Sequence, residues 1–329
     1  MANAVKPDVS VVICAYTLAR WDDLVAAVGS MRLQSIAPRE IIVVVDHNPG
    51  LLRAINEQIS GVITVANWEP RGLSGARNCG IRAAKSELVA FIDEDALAQP
   101  DWLEWLTAGY SDPNVLGVGG VVEPIWLAGR PQWFPDEFNW VVGCTYRGLP
   151  ETTAPVRNLI GCNMSFRREV FESVGGFKHG IGRVGTRPTG CEETEFCIRL
   201  NQHCPNGLLI YEPGARVYHR VTPQRTGWKY FGARCYAEGQ SKALVSRTVG
   251  GHACLTSECK YTLNTLPQGI KRNLGESLLH RQPVGLARAA AILAGLAITT
   301  AGYATETCLQ RLAVWKGTDS GVPCGDSVL

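Results

Sequence analysis

Neither sign of charge dominates this chain of 329 residues, in which 32 Lys and Arg stand against 30 Asp and Glu. A net charge of +2 lacks the field of a protein built to neutralise phosphate backbones, and it excludes an acidic solvating chain. No segment gathers the basic residues, so nucleic acid is not an expected partner. Twelve cysteines are present, yet no Cys-x-x-Cys pair occurs, and neither a zinc ribbon nor a small disulfide scaffold is indicated. Several thiols stand inside apolar runs, as in Val11-Val12-Ile13-Cys14 and Phe196-Cys197-Ile198, where cysteine acts as a small hydrophobe. Reduced structural thiols in a cytoplasmic protein are the expectation. The N-terminal stretch Met1 to Asp8 lacks the apolar core of a signal peptide. Internal repeats and low-complexity segments are also missing. An enzyme, a binding module and a membrane-peripheral protein remain.

What is present is a series of continuous apolar, β-branched runs. Val9 to Ala15, Ile41 to Val45, Val62 to Ala66 and Leu88 to Ile92 read as strands buried on both faces. Between them, Asp22–Leu33, Leu51–Ile59 and Ala76–Lys85 read as helices. This alternation predicts right-handed βαβ units and a parallel sheet covered by helices. Ligands of such sheets bind beyond the carboxyl ends of the strands. Tyr16, Asp46 and the run Asp93-Glu94-Asp95 stand at those ends. Beyond Gly120 the alternation stops, and residues 121–160 hold Trp126, Trp133 and Trp140. After Gly227 helical patterns prevail.

Alternate residues of an extended segment point the same way, so Asp93 and Asp95 converge while Glu94 turns aside. Two hard carboxylates in one place suit Mg²⁺ or Mn²⁺ and a phosphate-bearing substrate. Asp46 suits a ribose hydroxyl or a base N–H, or equally a turn cap before His47-Asn48-Pro49-Gly50. Gly72-Leu73-Ser74-Gly75-Ala76-Arg77 is a glycine loop entering a helix, with free N–H groups and a cation for phosphate. It is not a P-loop, since no Gly-Lys-Ser/Thr follows, and no dinucleotide fingerprint follows the first strand. Glu192 and Glu193 precede helical spacing through Glu195 and Arg199. They read either as dipole-complementing acids or as a general base. His219 suits a further metal ligand.

Taken in order, these elements resemble the family 2 glycosyltransferases of the GT-A fold, over about residues 8–235. The resemblance implies an α/β fold: a Rossmann-like nucleotide-binding sheet, an acceptor-binding half and a helical C-terminal extension. It implies an inverting enzyme that moves a sugar from a nucleotide-diphospho-sugar to a hydroxyl or phosphate acceptor in cell-surface glycan or glycolipid synthesis. On the matching positions, Ala15, Tyr16, Asp46, Gly72, Arg77 and Asp93 would line the donor pocket. Asp95, Asp93 and His219 would hold Mg²⁺ or Mn²⁺, and Glu193, or Glu192 beside it, would be the base. The pair is Glu-Glu where the family has Glu-Asp, and Asp46 precedes His-Asn-Pro rather than Gly-Ser. Trp133 and Asn163 are the acceptor candidates that follow.

The expected division is 1–118 for the donor half, 119–235 for the acceptor and catalytic-base half, and 236–329 for the helical extension. Ala289 to Thr305 is uncharged, flanked by Arg281 and Arg288 on one side and Arg311 and Lys316 on the other. It reads as a buried or interfacial helix rather than a span. Such a helix fits a glycan or lipid-linked acceptor and peripheral contact at the inner face of the plasma membrane. Two alternatives fit less well: a GT-A domain that binds a nucleotide-sugar without transfer, and a sugar nucleotidyltransferase. The latter would carry a glycine-rich basic loop after the first strand, where this chain has Tyr16-Thr17-Leu18-Ala19-Arg20.

Overall fold

A computed structural model of the chain describes residues 8–183 and 189–315. Residues 1–7, Lys316 and Cys324 lie outside the described residues. The first half alternates as the apolar runs dictate: β1 (Val9–Ala15), α1 (Trp21–Arg32), β2 (Glu40–Val45), α2 (Pro49–Gln58), β3 (Ile63–Ala66), α3 (Leu73–Ala83) and β4 (Leu88–Asp93). Helix α3 starts three residues before its apolar pattern, because Gly72 at φ 131° takes the N-cap position. Few residues other than glycine tolerate that conformation.

The chain then builds β5 (Ala96–Ala98), α4 (Trp102–Ala108), β6 (Val115–Trp126), β7 (Ala154–Pro155), β8 (Asn163–Arg167), α5 (Glu169–Val174), α6 (Glu192–His203) and β9 (Leu208–Val221). Four helices follow: α7 (Trp228–Val249), α8 (Gly251–Lys260), α9 (Leu266–His280) and α10 (Val284–Trp315). All strands join one sheet in the order β3-β2-β1-β4-β8-β6-β9-β5, with β7 paired to β9. Strands β1 to β4 are parallel, as the alternation required. The remainder is not: β8 runs antiparallel to both β4 and β6, while β9 is parallel to β6. The expectation of a parallel sheet therefore holds for its first four strands only. The 118/119 division falls inside β6, and the 235/236 division inside α7.

Two apolar cores fill the faces of the sheet. One holds alternate residues of β1, β2 and β4 (Val11, Ile13, Val43, Ala90, Ile92) against α1, α2 and α4. The other holds the intervening residues (Val12, Val44, Phe91) against α3, α5 and α6. Each fully buried valine or phenylalanine contributes about 1.5–3 kcal/mol. The cysteines of the described residues are unpaired, most of them buried in these layers.

Helix α10 is long and apolar enough to cross a membrane by length and composition. One of its faces is nevertheless committed to protein. Small residues bring α7 and α10 together: a Cβ on Gly239 would meet the Thr299 carbonyl, and one on Gly302 the Tyr236 carbonyl. Elsewhere the helix carries Leu286, Leu293, Leu309, Leu312 and Trp315 into solvent, and α9 adds Leu278 and Leu279, each 81% exposed.

Candidate active site

Because β1, β2 and β4 are parallel, their carboxyl ends fall on one edge, and that edge opens into a cavity of about 730 Å³. Ala15, Tyr16, Asp46, Arg77, Asp93, Asp95, Glu192, Glu193 and His219 all line it. Residues separated by up to 204 positions in the chain thus meet at one opening. Gly72 lies beside the cavity rather than in its wall. Its N–H donates to Asp46 Oδ2 at 3.1 Å, while Asn67 Nδ2 donates to Asp46 Oδ1 at 2.7 Å. Asp46 therefore ties the glycine loop to the sheet and still faces the cavity.

The acidic strand end is completed from the far side of the sheet. β5 pairs Ala96 with His219 of β9, which brings the imidazole beside the preceding residue, Asp95. His219 Nε2 stands 3.2 Å from Asp95 Oδ1. Burial pushes the Asp95 carboxyl up, but His219, Arg20 and Arg225 outweigh it and hold it well below the usual range. Burial opposes charge on His219 too, yet Asp95 outweighs it and the imidazole is pushed up to about 10.

One ligand atom from each of Asp93, Asp95 and His219 lies within 4.8 Å of the other two. Ligands bonded to one ion at roughly 2.1–2.4 Å are separated by no more than about 4.8 Å, so a single divalent cation fits this set. Two neighbours were missed in the sequence. Arg20 Nη1 lies 2.8 Å from Glu94 Oε1 and 3.0 Å from Asp95 Oδ2, and Arg225 approaches Asp95 Oδ2 at 3.6 Å. Arg20 could have been found from its place one turn past the first strand; nothing local marks Arg225.

Opposite the acidic edge stands the start of α6. Cys191 takes a left-handed conformation, φ 72°, and turns the chain so that Glu192 and Glu193 open the helix facing the cavity. Such a conformation costs a non-glycine residue about 1–3 kcal/mol, offset by its surroundings. Cys191 Sγ donates to Glu238 Oε1 of α7 at 3.1 Å. Burial, then the adjacent Glu192 charge, raise the Glu193 carboxyl to about 7 against the pull of Arg77. Glu195, the third acid of this turn, is fully buried and paired with Arg199 and Lys178.

Arg77 links the two sides. It is 2% exposed, donates from Nη1 to Glu192 Oε1 at 2.8 Å and from Nη2 to the Gly161 carbonyl at 2.9 Å, and lies 3.6 Å from Asp93 Oδ1. Its guanidinium also rests on the Phe177 ring. Glu192 Oε2 is buried with no donor. Arg77 is thus held by the protein from several sides, where the sequence suggested a free phosphate ligand.

The acceptor candidates are placed elsewhere. Asn163 is fully buried; it accepts from Trp102 Nε1 and donates to the Val121 and Ala215 carbonyls, which pins the middle of the sheet. Trp133 stacks on Trp228 with ring centroids 4.0 Å apart. Neither lines the cavity. Its far wall comes instead from Tyr146, Arg157, Arg234, Lys242, Tyr261 and Tyr303.

The sequence model of the family described as "Glycosyl transferase family 2" matches residues 10–175. Over 241 residues the chain is 37% identical to a glucosyl-dolichyl phosphate glucuronosyltransferase of Haloferax volcanii, covering 72% of this chain and 77% of that protein. The succinoglycan biosynthesis protein ExoM of Rhizobium meliloti is 24% identical over 70% of this chain and 72% of its own length. The mannosyltransferase PcManGT of Pyrobaculum calidifontis, solved with GDP-Man and Mn²⁺, superposes at a TM-score of 0.54 and 18% identity, covering 90% of this chain and 88% of that one.

Proposed function

The chain belongs to glycosyl transferase family 2 and is a nucleotide-sugar-dependent, metal-dependent glycosyltransferase of glycan or glycolipid synthesis; from that premise we propose how its own residues divide the work. Asp93, Asp95 and His219 would hold the divalent cation, which would take the place of the proton that His219 shares with Asp95. An imidazole in the donor set favours Mn²⁺ over Mg²⁺, which prefers an all-oxygen shell. When bound, that ion offsets the charge gathering on the departing nucleoside diphosphate. Ala15, Tyr16 and Asp46 receive the nucleoside at the strand ends. Arg77 holds Asp93 and Glu192 in register and does not itself meet the phosphates.

Glu193 is the base. An acceptor hydroxyl oxygen forms a bond to the anomeric carbon from the face opposite the diphosphate, and its proton passes to the Glu193 carboxylate. The bond from carbon to the diphosphate oxygen breaks with its electron pair, and the sugar inverts. Glu193 then loses the proton to solvent. A carboxyl raised to about 7 is matched to taking a proton near neutral pH. The observation that carries the assignment is the meeting of Asp93, Asp95, His219 and Glu193 at one cavity.

The acceptor is a lipid-linked glycan, and the enzyme rests on the cytoplasmic face of a membrane through α9 and α10. The exposed leucines of those helices support this, as does the relative that acts on a dolichyl phosphate sugar. Incubation with labelled sugar nucleotides, Mn²⁺ and a lipid-linked glycan should give transfer that Asp95→Ala and Glu193→Gln each slow by about a hundredfold or more. Transfer at an undiminished rate in either variant would overturn the corresponding role.

A further inference from the structure

The turn that presents the base is held from outside its own helix. Arg77 fixes Glu192 directly, at 2.8 Å, whereas Glu193 Oε1 receives a longer bond from Thr194 Oγ1, 3.4 Å. The aim of Glu193 therefore depends on the backbone beneath it. That backbone changes direction at Cys191, whose φ of 72° and ψ of 15° are left-handed. The Cys191 carbonyl accepts the first bond of α6, from the Glu195 N–H at 2.9 Å. Glycine reaches this conformation without a Cβ penalty, so a turn alone would be better served by glycine. A cysteine only 4% exposed in its place implies that the side chain offsets the strain.

The contacts around it show how. Cys191 Sγ donates to Glu238 Oε1 at 3.1 Å, and the preceding Gly190 N–H donates to Ser241 Oγ at 3.2 Å. Both acceptors stand on α7, three residues apart and so on one face. Glu238 is braced in turn by Arg234 Nη1 at 2.8 Å and Lys242 Nζ at 3.6 Å, while Ser241 Oγ donates to the Ala237 carbonyl at 2.8 Å. The two residues before Glu192 are thus clamped to α7. The far end of α6 is anchored without this clamp, since Gln202 Nε2 donates to the Val249 carbonyl at 2.7 Å and Asn201 Nδ2 to the Arg157 carbonyl at 3.2 Å. Loss of the clamp would release the first turn and leave the helix in place.

We propose that Cys191, Glu238 and Ser241 are positioning residues, a clamp through which α7 aims Glu193 at the acceptor hydroxyl. This rests on the assignment of Glu193 as base and deepens it. The clamp takes no proton and forms no bond to substrate, so the transfer step is unchanged.

The labelled sugar nucleotide, Mn²⁺ and lipid-linked glycan that support turnover separate aim from stability. Cys191→Gly relieves the left-handed strain but removes the thiol contact; the two changes oppose each other, and Tm should move by no more than about 4 °C. Its kcat should fall about tenfold to a hundredfold, as expected for a misplaced reacting group. KM for the sugar nucleotide should stay within about twofold, because the clamp acts on the base and not on the donor. Cys191→Ser keeps a donor in place and should recover most of that loss, whereas Cys191→Ala should not. Ser241→Ala leaves the Gly190 N–H without its acceptor and should lower kcat in the same manner. Full kcat in Cys191→Gly overturns the clamp and leaves Glu193 standing as base. A serine variant as slow as the alanine one, or a glycine variant whose Tm falls beyond that range, also overturns it. Undiminished transfer in Glu193→Gln, measured beside these, overturns the base and the clamp together.

Discussion

The two ends of the cavity are built by different means. The donor end stands on four parallel strands whose side chains are locked by short-range ion pairs: Arg77 to Glu192, Arg20 to Asp95 and Glu94. The end we assign to the acceptor stands on helices that meet through small residues, with apolar side chains left to solvent. Chemistry that must place a proton and a charge to within a fraction of an ångström needs the first kind of construction. Capture of a long, mostly apolar molecule needs area and access, which the second provides.

That contrast is open to direct attack. The largest effect should come from Glu193→Gln, with kcat reduced about 10²–10⁴-fold and nucleotide affinity kept, as isothermal titration would record. Next is Arg77→Met, which strands Glu192 without its cation and should cost roughly 3–5 kcal/mol in denaturant unfolding. Gly302→Leu should cost less, roughly 1–3 kcal/mol, by prising α10 from α7. If it also abolished nucleotide binding, the two ends would not be separable as described. Replacing Leu278 and Leu279 by Ser should weaken flotation with vesicles by roughly tenfold while sugar-nucleotide hydrolysis stays unchanged.

The smallest effect is on pH dependence. The base works only when ionised, so kcat/KM should fall about tenfold per unit as pH drops below about 7 and level off above it. Glu192→Gln removes the neighbouring negative charge, so this acid limb should move to lower pH. A limb that stays in place would remove Glu193 from the role of base.

The donor end was also the legible end. Strands β1, β2 and β4 are buried on both faces, and such strands betray themselves as unbroken β-branched runs. Their terminal acids then stand out. Strand β8 did not, because Asn163 and Ser165 are polar and sit in the core only through hydrogen bonds that no local pattern encodes. For the same reason Asn163 reads in the sequence as an acceptor candidate. Arg225 reaches Asp95 across 130 positions, which no spacing rule connects. The Arg234, Glu238 and Lys242 series, by contrast, repeats every four residues along α7 and could have been read as one helical face.

The close seam between α7 and α10 has a kinetic consequence. Thr299 and Tyr303, which line the cavity, and the exposed leucines belong to one helix, so they cannot move independently. On a bilayer, the search for acceptor becomes two-dimensional, and turnover should follow the number of acceptors per unit area of membrane rather than their bulk concentration. Diluting the acceptor into inert lipid would slow such an enzyme even though every molecule stays in the tube.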